Sequence, residues 1–311
     1  MRTDSVLGLI GNTPLVGIHA LSPNPEVAIY AKLEGQNPGG SSKDRIALKM
    51  VELAEADGAL SPGDVILEST SGNTGIGLAL VAKLRGYRLR VVMPENVSPE
   101  RKQLLEIFGA DVVASPGEEG SNGAIRLAEK LVVDDPSQVM LFQYGNPANP
   151  LAHYEHTAPE IWDECPEIDA FVAGLGTSGT LMGAGRFFKE RNPEIQVVAV
   201  EPPAGELVQG LRSLEDGFVP PIFEPGILDR KLIVRPRETI EWVRRLLDEC
   251  GVFAGISSGA AVAGAVKTAE TMERGTVVTL LPDGGWKYLS SGAWTEDLDV
   301  VTERATRINY W

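Results

Sequence analysis

Two cysteines, Cys165 and Cys250, are too few for a disulfide framework or a cysteine-based zinc site in a chain of 311 residues. Three histidines (His19, His153, His156) are too dispersed to propose a metal cluster, so no metal is assigned. No run approaches the ~20 apolar residues of a membrane span, and the N-terminus lacks a basic segment followed by an apolar one. These absences read as a soluble, uncleaved, cytoplasmic protein without a membrane partner. Positive charge is also scarce: 28 Lys and Arg stand against 43 Asp and Glu, a formal charge of −15. Nucleic acid is excluded as a partner, since phosphate backbones need a basic footprint. An anionic small substrate remains admissible if cations are placed locally. No repeat, low-complexity tract or long linker is visible.

What the chain does have is rhythm. With 43% hydrophobic residues it suits one large domain or two compact ones. Strands are expected at 15–18, 27–33, 65–68, 89–93, 111–114 and 139–142, and again at 170–175, 196–200, 232–234 and 276–281. Helices are expected after Lys43 and over 76–84, 98–108, 122–132, 156–162, 180–191, 237–249 and 258–271. Strands alternating with helices imply parallel sheets covered on both faces. Two such series predict two open, twisted α/β domains with a cleft between them. The tail from Trp294 reads as polar until Tyr310-Trp311.

Three stretches carry chemistry. In Gln36 to Met50, Asn37-Pro38-Gly39-Gly40 must turn, Ser41 and Ser42 can cap a helix, and Ile46, Ala47 and Met50 follow at helical spacing. Lys43 therefore falls in a helix's first turn, where partial positive charge favours the neutral amine needed for a Schiff base. Gly174-Leu175-Gly176-Thr177-Ser178-Gly179-Thr180 follows a strand and opens a helix, so backbone N–H groups and hydroxyls form a phosphate cup. It is neither a Walker loop nor a Gly-x-Gly-x-x-Gly turn, because Leu181-Met182 intervene before Gly183. Thr70-Ser71-Gly72-Asn73-Thr74-Gly75 is a second donor-rich strand-to-helix loop, able to receive a carboxylate. A lysine and two anion cups ask for an aldehyde bearing a phosphate, with an amino acid as its partner. Pyridoxal phosphate meets that need.

The chain resembles the cysteine synthases and their relatives among the fold-type II pyridoxal-phosphate enzymes (tryptophan synthase β-like), over nearly its whole length. The carrying motifs are Gly-Asn-Thr-Pro-Leu-Val (11–16), Asn-Pro-Gly-Gly-Ser-Ser-Lys-Asp-Arg (37–45), Thr-Ser-Gly-Asn-Thr-Gly (70–75), Gln-Tyr-Gly-Asn-Pro-Ala-Asn (143–149), the 176–180 cup and Gly-Ile-Ser-Ser-Gly-Ala (255–260). The resemblance implies that Lys43 carries pyridoxal 5'-phosphate and that Asn73 bonds its ring hydroxyl. Gly176, Thr177, Ser178, Gly179 and Thr180 would hold the phosphate, and Ser257 would face the pyridine nitrogen. Thr70, Ser71, Thr74 and Gln143 would receive the substrate carboxylate. A serine at the ring nitrogen supplies no charge, unlike the aspartate of many pyridoxal enzymes, which suits expulsion of a leaving group from Cβ. The implied route is β-elimination to an aminoacrylate, followed by addition of a sulfur nucleophile.

Gln209-Gly210-Leu211-Arg212-Ser213-Leu214-Glu215-Asp216-Gly217-Phe218-Val219-Pro220 decides the subtype. Acetylserine-using members run Gln-Gly-Ile-Gly-Ala-Gly-Phe-Ile-Pro there. The longer segment resembles the O-phosphoserine-dependent cysteine synthases of actinobacteria, in which an arginine here, Arg212, faces the substrate phosphate. The implied activity is L-cysteine formation from O-phospho-L-serine, with O-acetylserine as the alternative substrate. Sulfide, thiosulfate or a carrier protein with a C-terminal thiocarboxylate would supply the sulfur. Cystathionine β-synthase is disfavoured because no regulatory domain follows. The resemblance further implies a homodimer, a small mobile domain over 34–144, and a large domain from 1–33 and 145–311. The aromatic end Tyr310-Trp311 would pack on the protein's own surface or at the dimer contact, or, as in the phosphoserine-using relatives, 307–311 would fold over the active site.

Overall fold

The structure, a computed structural model, describes residues 2–70, 72–97 and 99–307. Ser71 and residues 308–311, which include Tyr310 and Trp311, lie outside the described residues. No helix among the described residues is long and apolar enough to cross a membrane.

The chain opens with β1 (Leu15–Gly17) and β2 (Val27–Leu33), paired antiparallel with Leu15 opposite Lys32. It then leaves that sheet and builds a second one. Helix α1 (Lys43–Ala56) leads to β3 (Val65–Ser69), α2 (Asn73–Arg85), β4 (Arg88–Pro94), α3 (Pro99–Phe108), β5 (Asp111–Ser115), α4 (Gly120–Asp134) and β6 (Gln138–Met140). These four strands form a parallel sheet in the order β5-β4-β3-β6. A helical run follows, α5 (Ala148–Ala152), one π-helical turn (His153–Thr157) and α6 (Ala158–Glu164). The chain then returns through β7 (Ala170–Gly174), α7 (Gly179–Arg191), β8 (Gln196–Glu201), β9 (Arg230–Ile233), α8 (Pro236–Cys250), α9 (Ile256–Ala269), β10 (Gly275–Leu281) and α10 (Leu298–Arg307). The larger sheet runs β1-β2-β10-β7-β8-β9, all parallel except at β1. Both series expected from the pattern are present, each as its own sheet.

Each sheet has its own apolar core. Ile46, Met50, Ile66, Ile76, Val81 and Val91 bury the helices of the smaller sheet against its strands. In the larger one, Val172, Val198, Val200 and Val277 face the alanine-rich α9. That helix lies so close that a Cβ on Gly259 would meet the Thr239 carbonyl of α8 at 1.9 Å. Small residues there permit contact that larger ones forbid.

Three expectations need correction. Strand β6 ends at Met140 rather than Phe142, because Phe142 takes φ +55 and turns the chain. The helix expected over 156–162 is the end of a longer run beginning at Ala148. The polar tail contains α10, whose Val301 and Leu298 pack against Ile240 of α8.

A buried ion cluster fixes the base of α1. The Arg45 guanidinium donates to Glu34 through Nε at 2.7 Å and Nη2 at 2.8 Å, and to Glu160 of α6 at 2.7 Å. Thr13 and Asn37 donate to the same Glu34 carboxylate, and Lys32 pairs with Glu160 at 2.9 Å. Burial pushes the Glu160 carboxyl up, but the Arg45 bonds, the Asn12 N–H and Lys32 outweigh it and hold the pKa at about 2. The Gly11–Pro14 turn thus braces the helix that carries Lys43.

Candidate active site

The carboxyl ends of strands from both sheets meet at one cleft, where open α/β sheets bind ligands. Every described residue assigned from the sequence to cofactor or substrate lines it, from Lys43 through the 176–180 loop to Arg212 and Ser257.

Lys43 is the first residue of α1; its amide is capped by the Ser41 hydroxyl at 3.2 Å, and its Nζ lies 3.4 Å from Ser42 Oγ. Burial holds the amine below its ordinary pKa, against the pull of Asp283 and Glu34. The direction matches the expectation from the helix end, but desolvation is the larger cause.

The 176–180 loop is shaped to take an anion. Ser178 caps α7 in the left-handed region, φ +70, and its Oγ is buried without a partner. Thr177 Oγ1 accepts from Asn149 Nδ2 at 3.0 Å, which leaves its own proton to donate. Thr180 Oγ1 sits 3.2 Å from Nε2 of His153, whose ring is held neutral chiefly by burial. A Cβ on Gly176 would meet the Gly210 carbonyl at 2.8 Å, so the loop and the 209–212 segment touch backbone to backbone.

At the other cup, Thr70 Oγ1 accepts from Gly72 N at 3.2 Å and Thr74 Oγ1 donates to Gln143 Oε1 at 2.6 Å. Asn73 and Thr74 of the first turn of α2, where helix N–H groups have no intrahelical partner, line the same cleft. Gln143 is set by Glu68, whose carboxylate oxygens lie 3.3 and 3.5 Å from its amide nitrogen. Burial pushes the Glu68 carboxyl up to about 8, despite amide bonds from Gln143, Ser69 and Phe142. Ser257, the second residue of α9, is buried; its Oγ lies 3.6 Å from where a Cβ on Gly210 would stand.

Arg212 is 6% exposed, and its backbone N–H donates to the Leu175 carbonyl at 2.8 Å, tying it to the end of β7. The guanidinium carbon stands 5.4 Å from the Tyr144 ring centre and 4.6 Å from that of Phe218, and Nη1 reaches Asn122 at 3.5 Å. Aromatic faces and an amide orient the cation without neutralising it.

Sequence reasoning overlooked the layer behind Asn73, beneath the cleft. Asp283, just past β10, accepts from Asn73 Nδ2 at 2.7 Å and from the Tyr288 hydroxyl. Lys287 donates to Asn73 Oδ1 at 2.7 Å and to the Gly40 carbonyl at 3.1 Å. Burial lowers the Lys287 pKa to about 8 while Asp283 and Asp44 pull it up, so it is charged at neutral pH. The one available signal was position: Asp283 ends a parallel strand at its carboxyl end.

A lysine amine with lowered pKa, a hydroxyl-rich cup with the buried, unpartnered Ser178 Oγ, and a hydroxyl on α9 fit an aldehyde–phosphate on a pyridine ring. The family comparison agrees. Residues 6–283 match the model described as "Pyridoxal-phosphate dependent enzyme", and the chain belongs to that family, with the fold-type II architecture and pyridoxal phosphate as cofactor. Within it the chain is a homologue of the cysteine synthases. It is 43% identical over 304 residues to a cysteine synthase of Staphylococcus aureus (strain Mu50), covering 94% of this chain and 98% of that one. It is 40% identical over 289 residues to cysteine synthase B of Escherichia coli (strain K12), covering 93% and 95%. Among solved structures, O-ureido-L-serine synthase matches with a TM-score of 0.90 at 40% identity, covering 96% of this chain and 99% of that chain. An O-acetyl serine sulfhydrylase (isoform 3) of Entamoeba histolytica matches with a TM-score of 0.88 at 34% identity, covering 98% and 96%.

Proposed function

We propose that this enzyme forms L-cysteine by β-replacement on O-phospho-L-serine, working as a homodimer in which residues 34–144 move as a small domain against 1–33 and 145–311. The single observation carrying the substrate assignment is Arg212: a buried guanidinium lining the cleft, held by aromatic rings and an amide. With a net charge of −15, long-range electrostatics oppose an anionic substrate, so a local fork must overcome them.

Pyridoxal phosphate, when bound, supplies an electron sink conjugated to the substrate Cα. The chain's own residues do the rest. The 176–180 cup would hold the cofactor phosphate, and Asn73 and Ser257 would hold its ring. Thr70, Ser71, Thr74, Gln143 and the first turn of α2 hold the substrate carboxylate, which aims the Cα proton at Lys43. Lys43 Nζ, its amine held below the ordinary pKa by burial, would take that proton as the general base. Arg212 binds the departing phosphate. A sulfur nucleophile then enters from the open side, either sulfide or the thiocarboxylate of a carrier protein.

A second reading, O-acetylserine as substrate, is favoured by the similarity to an O-acetyl serine sulfhydrylase. One comparison separates the two. Arg212→Ala should lower kcat/KM for phosphoserine by roughly 10- to 100-fold, the worth of one charge-assisted hydrogen bond, while acetylserine turnover changes little. Arg212→Lys should recover part of the loss, because a point charge replaces a fork. Equal losses for both substrates would make the arginine structural and move acetylserine ahead.

A further inference from the structure

Lys287 is the least expected residue beneath the cleft: a fully buried lysine, 0% exposed, whose ammonium bonds an amide and a carbonyl rather than a carboxylate among the described residues. It sits in a 3₁₀ turn, Gly285–Ser291, beyond β10. Its ammonium reaches Asn73 at the start of α2 and the Gly40 carbonyl in the turn before Lys43, with the Trp286 ring centre 5.2 Å away. On the far side of the Asn73 amide stands Asp283, whose Oδ2 accepts from Asn73 Nδ2 at 2.7 Å.

The chemistry of the two neighbours fixes the amide between them. An ammonium can only donate and an ionised carboxylate can only accept. Asn73 must therefore give its oxygen to Lys287 and its nitrogen to Asp283. The flipped amide would set N–H against the ammonium and oxygen against the carboxylate, two repulsive contacts in a buried site. What Asn73 has left to donate to the cleft is the second N–H of Nδ2.

We propose that Lys287 is a positioning residue that locks Asn73 as a donor, so that the cofactor's ring oxygen is held in its deprotonated form. This rests on Asn73 facing that ring oxygen. Without Lys287 the amide is held from one end only and turns more readily to offer its oxygen, which would stabilise the ring hydroxyl instead. Asp283 sets the same orientation from the other end. Neither residue touches substrate in this scheme; each acts through Asn73.

The test uses purified protein loaded with pyridoxal phosphate. Its readouts are the ratio of the visible band to the near-ultraviolet band, the latter given by the neutral ring hydroxyl, and the cofactor dissociation constant. Lys287→Met should shift absorbance to the near-ultraviolet band and weaken cofactor binding about 10-fold or more, the scale of one charge-assisted hydrogen bond. Lys287→Arg keeps a donor and should retain most of the visible band. Asp283→Asn is nearly isosteric, carries the test should Lys287→Met fail to fold, and should move the band ratio the same way. Lys287→Met should change the ratio little in an Asn73→Ala background, since there is no amide left to orient. Additive effects, or an unchanged ratio in Lys287→Met and Asp283→Asn while Asn73→Ala moves it, would overturn the positioning role and leave the Asn73 assignment standing. An unmoved ratio and affinity in Asn73→Ala alone would overturn both.

Discussion

Replacing Glu68 by glutamine isolates the cost of a carboxyl buried under the substrate cup. Glu68 is 0% exposed, and its pKa is pushed from 4.5 to about 8 because burial outweighs the three amide bonds it accepts. An acid with a raised folded pKa keeps a proton that the unfolded chain has already lost. Between pH 4.5 and about 8 the folded state thus binds one more proton at this site, and its stability falls as pH rises. The slope from this group is about 1.36 kcal/mol per pH unit, which accumulates to about 4 kcal/mol by pH 7.5. Glutamine has the same shape, keeps an acceptor for the Gln143 N–H and never ionises. The unfolding free energy of Glu68→Gln minus that of the native chain should therefore climb about tenfold in equilibrium constant per pH unit across pH 5.5–7.5. Urea unfolding of the cofactor-free protein at a series of pH values gives that difference, and other titrations cancel in the subtraction. Infrared spectroscopy reads the same group directly, as a protonated-carboxyl band absent from Glu68→Gln and fading near pH 8. A stability difference flat with pH, or a carboxyl already ionised at pH 6, would refute the reasoning.

Two further substitutions probe the frame and the cup. Arg45→Met leaves the buried Glu34 carboxylate without its cation and should cost about 3–5 kcal/mol in denaturant unfolding; a loss below about 1 kcal/mol would mean the cluster is replaceable. Gly176→Ala drives a Cβ to 2.8 Å from the Gly210 carbonyl, so the cup must shift. Its cofactor dissociation constant, measured by absorbance titration, should rise about 10-fold or more while the apoprotein's thermal midpoint holds.

Local pattern carried most of this architecture and failed where burial depends on the rest of the fold. Strands such as Val27–Leu33 were legible because their apolar runs are bounded by turn residues. The part of the helical run from Ala148 to Glu155 was hidden because Pro150 weakens a helical reading there. Helix α10 was hidden because its apolar face is only Leu298, Val301 and Ala305 among acidic and basic neighbours. The three motifs led to residues that share one cleft, since each sits at the carboxyl end of a strand. Glu68, Asp283 and Lys287 escaped notice for one reason. A charged residue reads as solvated until the elements covering it are known.

Strand β10 has a consequence for how the chain comes to be folded at all. It lies between β2 and β7, in register with Val27–Leu33 on one side and Ala170–Val172 on the other. During synthesis the first hairpin emerges early, yet its central neighbour is encoded near the other terminus. The smaller sheet is complete far sooner, since all four of its strands are local to one stretch of chain. Co-translational folding should therefore proceed from the inside of the sequence outward, with β2 presenting an open edge to the ribosome's surroundings until the last strand arrives. A nascent chain arrested before Gly275 would own a finished small sheet and a cleft lacking only Leu280, Pro282 and Tyr288 of its described lining. It could not close the large sheet, and chaperones would meet it in that state.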